Sequence, residues 1–148
     1  MKILNLISSL FRTTKSTNIE VLKIQKEGAK LAVQHAKIYN LKLDYSVDSL
    51  KKVDKILERL SKNYLIKQNK DELENLALIF GLYIIEVFER NEGKGYLERK
   101  LITLESDSFP YYFKGSLIFP CIWCLNKIFD NEADDVWMIY NRTISKTN

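Results

Sequence analysis

Apolar residues recur along the first half of the chain with a three-four spacing, the period of an α-helix rather than the alternation of a strand. Val21, Ile24, Gly28, Leu31, His35 and Ile38 form one such stripe and predict a helix from Asn18 to about Tyr39, with Asn18 as its N-cap. A second stripe, Leu50, Val53, Ile56, Leu57 and Leu60, follows Ser46, an expected N-cap with Ser49 three residues on. Its opposite face is almost all charge. The third segment differs in kind. Between Leu76 and Phe88 only Gly81 and Glu86 are not apolar, so a helix from about Lys70 to Asn91 belongs at the centre of the fold. Asp71, Glu72 and Glu74 at its start suit the positive end of the helix dipole, and Gly93 is the expected stop. The apolar run is shorter than the roughly 20 residues a bilayer-spanning helix requires.

After Gly95 the period changes. YLERKLITLES alternates loosely, and FPYYFKGSLIF is aromatic and bounded by Pro110 and Pro120, which predicts two strands in an antiparallel pair. Pro120 suits the first position of a short helix through CIWCLNKIFDN. ADDVWMIYNRT predicts a last short helix that buries Val136, Trp137 and Tyr140, with SKTN as a fraying tail. The expected fold is therefore mainly α with a small antiparallel β element (α+β): a three-helix core, a β-hairpin and two short C-terminal helices. Ahead of it, Ile3, Leu4, Ile7, Leu10 and Phe11 share one helical face, so residues 1–17 read as an amphipathic leader and 18–148 as a single globular domain.

Composition narrows the class. With 148 residues, 46% of them hydrophobic and 28% charged, the chain can bury one core, which argues against intrinsic disorder. Five Gly and two Pro are too few for a many-turned β architecture. Asn5, Ser8 and Ser9 interrupt the leader, and no small-x-small cleavage site follows, so it reads as neither signal peptide nor membrane span. Two cysteines make no disulfide framework, and a reducing, cytoplasmic setting is expected.

The net charge of +4 sits in one place. Ser46–Lys70 carries seven cations and three anions, which accounts for all of it, while the other 16 cations and 16 anions cancel. Glu58 is placed to pair with Lys62 and Asp48 with Lys52. Asp130, Glu132, Asp134 and Asp135 form an acidic counter-patch. A basic helix face can meet an acidic protein, a nucleic acid or an anionic lipid surface. No helix-turn-helix, zinc finger or aromatic-basic signature accompanies this one, so neither a nucleic-acid nor a membrane partner is expected.

Candidate chemistry is sparse. Cys121 and Cys124 supply at most two of the four ligands of a structural zinc site, and the one histidine, His35, is remote in sequence, so no metal and no cofactor are expected. Both cysteines read as small apolar residues of a packed helix. His35 lies on the first apolar stripe and is expected at the core rim with one hydrogen bond. Glu86, inside LYIIEVF, must find a donor or reach the surface, because an unpaired buried carboxylate costs several kcal/mol. Arg90, one turn on, is one candidate donor. A buried polar site of Glu86, Tyr83 and His35 is the one arrangement that could carry catalysis, provided the three meet in a cleft. No phosphate-binding loop, HExxH or GxSxG is present, and the chain reads as non-catalytic.

Asp44-Tyr45-Ser46, Ser49-Leu50 and Val53-Asp54, then Gly81-x-Tyr83 with Glu86-Val87, then Pro120, Lys127 and Asp135 through Tyr140 form a pattern over most of the chain. It resembles a group of small bacterial domains of the DYSxxSLxxVD…GxYxGEV kind, some similar to the immunity proteins that bind and block toxins. Ile85 stands where that pattern has glycine, which alters close packing there. The resemblance transfers no catalytic residue. It implies a non-catalytic protein-binding domain, a bacterial immunity or inhibitor protein that neutralises a toxin. The expected contacts are Lys52, Lys55, Arg59 and Lys62, with Asp134 and Asp135 as a second patch. The alternative is nucleic-acid or anionic-membrane binding through the basic helix 46–70.

Overall fold

The computed structural model describes residues 18–93, 95–97, 109–130 and 133–147. The leader, most of YLERKLITLES, and Glu132 of the acidic patch lie outside them. Among the described residues, five helices and a small antiparallel sheet follow one another: α1 (Asn18–Ala36, continued by a 3-10 turn at Lys37–Tyr39), α2 (Ser49–Lys67), α3 (Lys70–Glu92), β1 (Tyr96–Leu97), β2 (Tyr111–Phe113), β3 (Ser116–Ile118), α4 (Pro120–Phe129) and α5 (Val136–Thr147). The fold is mainly α with a small β element, as the periodicities predict.

The central helix is α3, in which every residue from Leu76 to Phe88 is buried. It runs between α1 on one side and α4 on the other, while α2 leans chiefly on α4 and α5. The crossing of α1 and α3 is antiparallel, since Gln25 reaches Glu86 and Glu89 whereas His35 meets Phe80. It is also close. A Cβ on Gly28 would lie 2.3 Å from Leu82 Cδ1, and α1 buries Ile24, Gln25, Ala29, Ala32 and Ala36. The predicted stripe of α1 is thus rotated: Leu31 and His35 are half-buried and Ile38 is 70% exposed. Small residues let the two backbones approach, and a hydrophobicity pattern gives little weight to alanine and glycine. Gly81 plays the same part toward α4, where an added Cβ would meet Cys121 Cα at 2.5 Å and its N at 2.8 Å.

The sheet has the order β1-β2-β3, with both pairings antiparallel. The predicted second strand is therefore itself a hairpin. Lys114 and Gly115 form its two-residue turn between Phe113 and Ser116, both with positive φ (46° and 78°), as a type I′ turn requires. Phe88 ties this sheet to the helices: its ring centroid lies 5.0 Å from Phe113, 6.2 Å from Trp123 and 4.2 Å from Tyr140. The last helix continues through Ser145–Thr147 instead of fraying. Among the described residues no helix is long and apolar enough to cross a membrane.

Candidate functional site: the basic face of α2 and the notch beside it

Two polar regions emerge, one buried and one on the surface. The buried one is built on α3. Glu86, 3% exposed, accepts hydrogen bonds from Gln25 Nε2 (3.0 Å) and Arg90 Nε (3.2 Å), so the expected donor Arg90 is joined by one from α1. The same amide donates to Glu89 (2.8 Å), whose other oxygen accepts from Tyr111 Oη (3.2 Å). The Arg90 guanidinium stacks 3.6 Å over Tyr45, and Tyr45 lies on Tyr83 with centroids 5.0 Å apart. Tyr83 Oη accepts the Tyr45 N–H (2.8 Å) and shares a 2.6 Å hydrogen bond with Ser49 Oγ. Burial raises the Tyr83 and Tyr111 phenol pKa values, so both stay protonated at neutral pH. Tyr83 and Glu86 thus share one network, but His35 does not enter it. Its ring stands edge-on to Tyr39 and Phe80, ten residues or about 15 Å along α1 from Gln25. The expected hydrogen bond at His35 is not to Nε2, which is buried without a partner, and burial lowers the imidazole pKa. These three groups do not converge on one cleft.

The surface region is built on α2. Asp44 starts it: its carboxylate accepts from Ser46 N (3.1 Å) and Ser46 Oγ (2.6 Å), and these bonds hold its pKa below the usual range. Ser46 Oγ in turn accepts the Ser49 N–H (3.1 Å) in the turn before the helix, but the N-cap position itself falls to Asp48, without a side-chain cap, and not to the expected Ser46. One side of α2 buries Leu50, Val53, Asp54, Ile56, Leu57, Leu60 and Ser61. The other carries the expected cations. Lys55, Arg59 and Lys62 are exposed, and Lys52 is half-buried with Nζ donating to the Lys42 carbonyl (2.9 Å). Asp48 pairs with Lys51 (3.4 Å) in place of the expected Lys52, and Glu58 pairs with Lys62 (3.6 Å). Arg59 lies 5.5 Å over the Tyr39 ring.

A shallow notch of about 160 Å³ opens beside this face, lined by Glu58, Ser61, Lys62, Leu65 and Lys127. It brings Lys127 beside the basic face. Lys127, from α4, also holds Asp135 (2.6 Å) and the Ala133 carbonyl (3.2 Å). Asp134 pairs with Arg142. Neither aspartate caps α5 with its side chain. That role falls to Asp54 of α2, whose carboxylate accepts the Val136 N–H (2.7 Å) and the Trp137 N–H (3.1 Å). Burial pushes Asp54 up to about 6 despite these donors. Asp54 has a sequence signal, since it falls among Leu50, Val53 and Leu57 on the apolar side. The notch has none, because it depends on the placement of α4 against α2.

Cys121 and Cys124 are both buried thiols, and burial pushes Cys124 well above its ordinary pKa. Among the described residues no group of three or more His, Cys, Asp or Glu is arranged to hold a metal ion. Comparison with protein-family models, with curated proteins and with solved structures finds no match to the chain.

Proposed function

We propose that this chain is a non-catalytic protein-binding domain, an immunity or inhibitor protein of the bacterial cytoplasm that blocks an acidic surface of a toxin. The observation that carries the reading is the solvent-facing row Lys55, Arg59 and Lys62 on a helix whose other side is fully engaged in the core. A helix anchored in this way is pre-organised, so little ordering cost attends its burial by a partner. Its net positive charge suits the steering of an acidic surface. Lys52 is held by the Lys42 carbonyl and supports the row from its edge. Asp135 adjoins it through Lys127, and with Asp134, which pairs with Arg142, forms a second patch that a basic residue of the partner can meet. Neutralisation by occlusion needs rigid complementarity and no reacting group.

The experiment is affinity purification of the tagged chain from its own host, followed by co-expression of any retained partner. The expected result is a stoichiometric partner whose toxicity the chain suppresses. Lys55→Glu/Arg59→Glu/Lys62→Glu should lose both retention and suppression, and unchanged retention by this variant would remove the face from the reading. Binding to nucleic acid instead would appear as retention that falls steeply with salt and needs no protein partner.

A further inference from the structure

The outward surface of α2 changes character along its length. Lys51, Lys55, Arg59 and Lys62 lead to Leu65 and Ile66, which are 70% and 78% exposed. Ile66 is seven residues on from Arg59 and shares its face. Arg59 rests on Tyr39, next to the exposed Ile38. The strip from Lys55 to Ile66 is about 17 Å long. An arginine backed by a tyrosine, with aliphatic residues beside it and lysines at the margin, has the composition of an interface centre.

We propose that this strip docks an acidic amphipathic segment of a partner protein, with carboxylates on Lys55, Arg59 and Lys62 and an apolar anchor on Leu65 and Ile66. The inference rests on the protein-binding reading above and adds the chemistry of the partner. The notch supplies the detail. Leu65 forms one wall and Lys62 another, with Lys127 engaged by Asp135 behind them, so an acidic side chain entering there meets the Lys62 ammonium and displaces Glu58 from it. The arrangement of charge disfavours the other polyanions. Glu58 and Glu72 are exposed beside the strip, Glu58 against Lys62 and Glu72 close enough to Tyr39 to act on its phenol. A lipid surface or a phosphate backbone would set negative charge against both, whereas a peptide can place its carboxylates on the cations alone. A polynucleotide backbone also leaves Leu65 and Ile66 uncovered.

The test pans a random peptide library displayed on phage against the full chain. Enriched peptides should combine Asp or Glu with large aliphatic or aromatic residues. They should bind Leu65→Asp/Ile66→Asp and Lys55→Glu/Arg59→Glu/Lys62→Glu at least about tenfold more weakly, and bind Leu22→Asp, an exposed control on α1, as well as the parent. All the altered side chains are exposed, and an unchanged helical circular dichroism spectrum shows that each variant is folded. No enrichment, enrichment of peptides without acidic residues, or equal binding to both α2 variants overturns the proposal. Co-sedimentation with vesicles of phosphatidylcholine and phosphatidylglycerol that Leu65→Asp/Ile66→Asp abolishes overturns it in favour of lipid. A host partner that keeps binding Leu65→Asp/Ile66→Asp but not the cation reversal removes the apolar anchor and leaves the protein-binding reading standing.

Discussion

A carboxylate persists in the middle of an apolar helix at Glu86 because Gln25 and Arg90 reach its two oxygens. Glu86→Ala removes that acceptor, and we expect a loss of about 1–3 kcal/mol in urea unfolding. Glu86→Leu, which adds apolar contact in place of the charge, should cost less than the alanine variant. Arg90 was readable, because a basic residue one helical turn from an acid is a local relation. Gln25 was not, since a polar residue on a distant helix carries no address until α1 is set against α3. Asp54 gives the pH-dependent prediction. Its pKa is raised from 3.8 to about 6 in the fold, so the native state binds the proton more tightly than the unfolded chain. Its contribution to stability is then complete below about pH 4 and is lost as pH rises through about 6. Asp54→Asn should flatten this part of the stability profile, measured as the urea midpoint from pH 4 to pH 7. Asp54→Ala removes the cap of α5 altogether and should cost about 1–2 kcal/mol.

Among the elements, α3 was the most legible, since a long uninterrupted apolar run has only one place to go. Its predicted and observed ends nearly coincide. The orientation of α1 was not legible, because Gly28, Ala29, Ala32 and Ala36 determine the contact by being small rather than by being hydrophobic. The two close-approach glycines give a graded prediction. At Gly81 the obstruction is Cys121 backbone, which cannot rotate away, so Gly81→Ala should cost about 2–3 kcal/mol even after the gain in helix propensity. At Gly28 the nearest atom is the end of the Leu82 side chain, which can move, and Gly28→Ala should cost less in the same thermal or urea unfolding series. In the sheet, Lys114-Gly115 was a two-residue turn signal inside what reads as a single aromatic strand. Gly115→Ala forces a side chain into the left-handed region and should lower stability by about 1 kcal/mol.

Over the whole molecule, the segment that holds the net charge also packs against the two C-terminal helices. Through its inner side α2 meets α4 and α5, and through its outer side it shows Lys55, Arg59 and Lys62 to solvent. The charge asymmetry was legible from sequence, because counting cations requires no coordinates. The notch between α2 and α4, and the link from Lys127 to Asp135, required the fold. If the face steers a partner, association should slow by about tenfold or more between low and high ionic strength while dissociation changes little, which stopped-flow mixing with the recovered partner would measure. Asp54 and the amides it caps are separated by 82 and 83 positions. A helix as short as α5 gains little from its own propensity and depends on such docking. During synthesis α2 leaves the ribosome well before Val136 and Trp137 exist, so its buried carboxylate waits for donors that the chain has yet to make. The last helix therefore acts as the fastener of the domain, and a nascent chain halted before Val136 should be far more open to protease than one released from the ribosome.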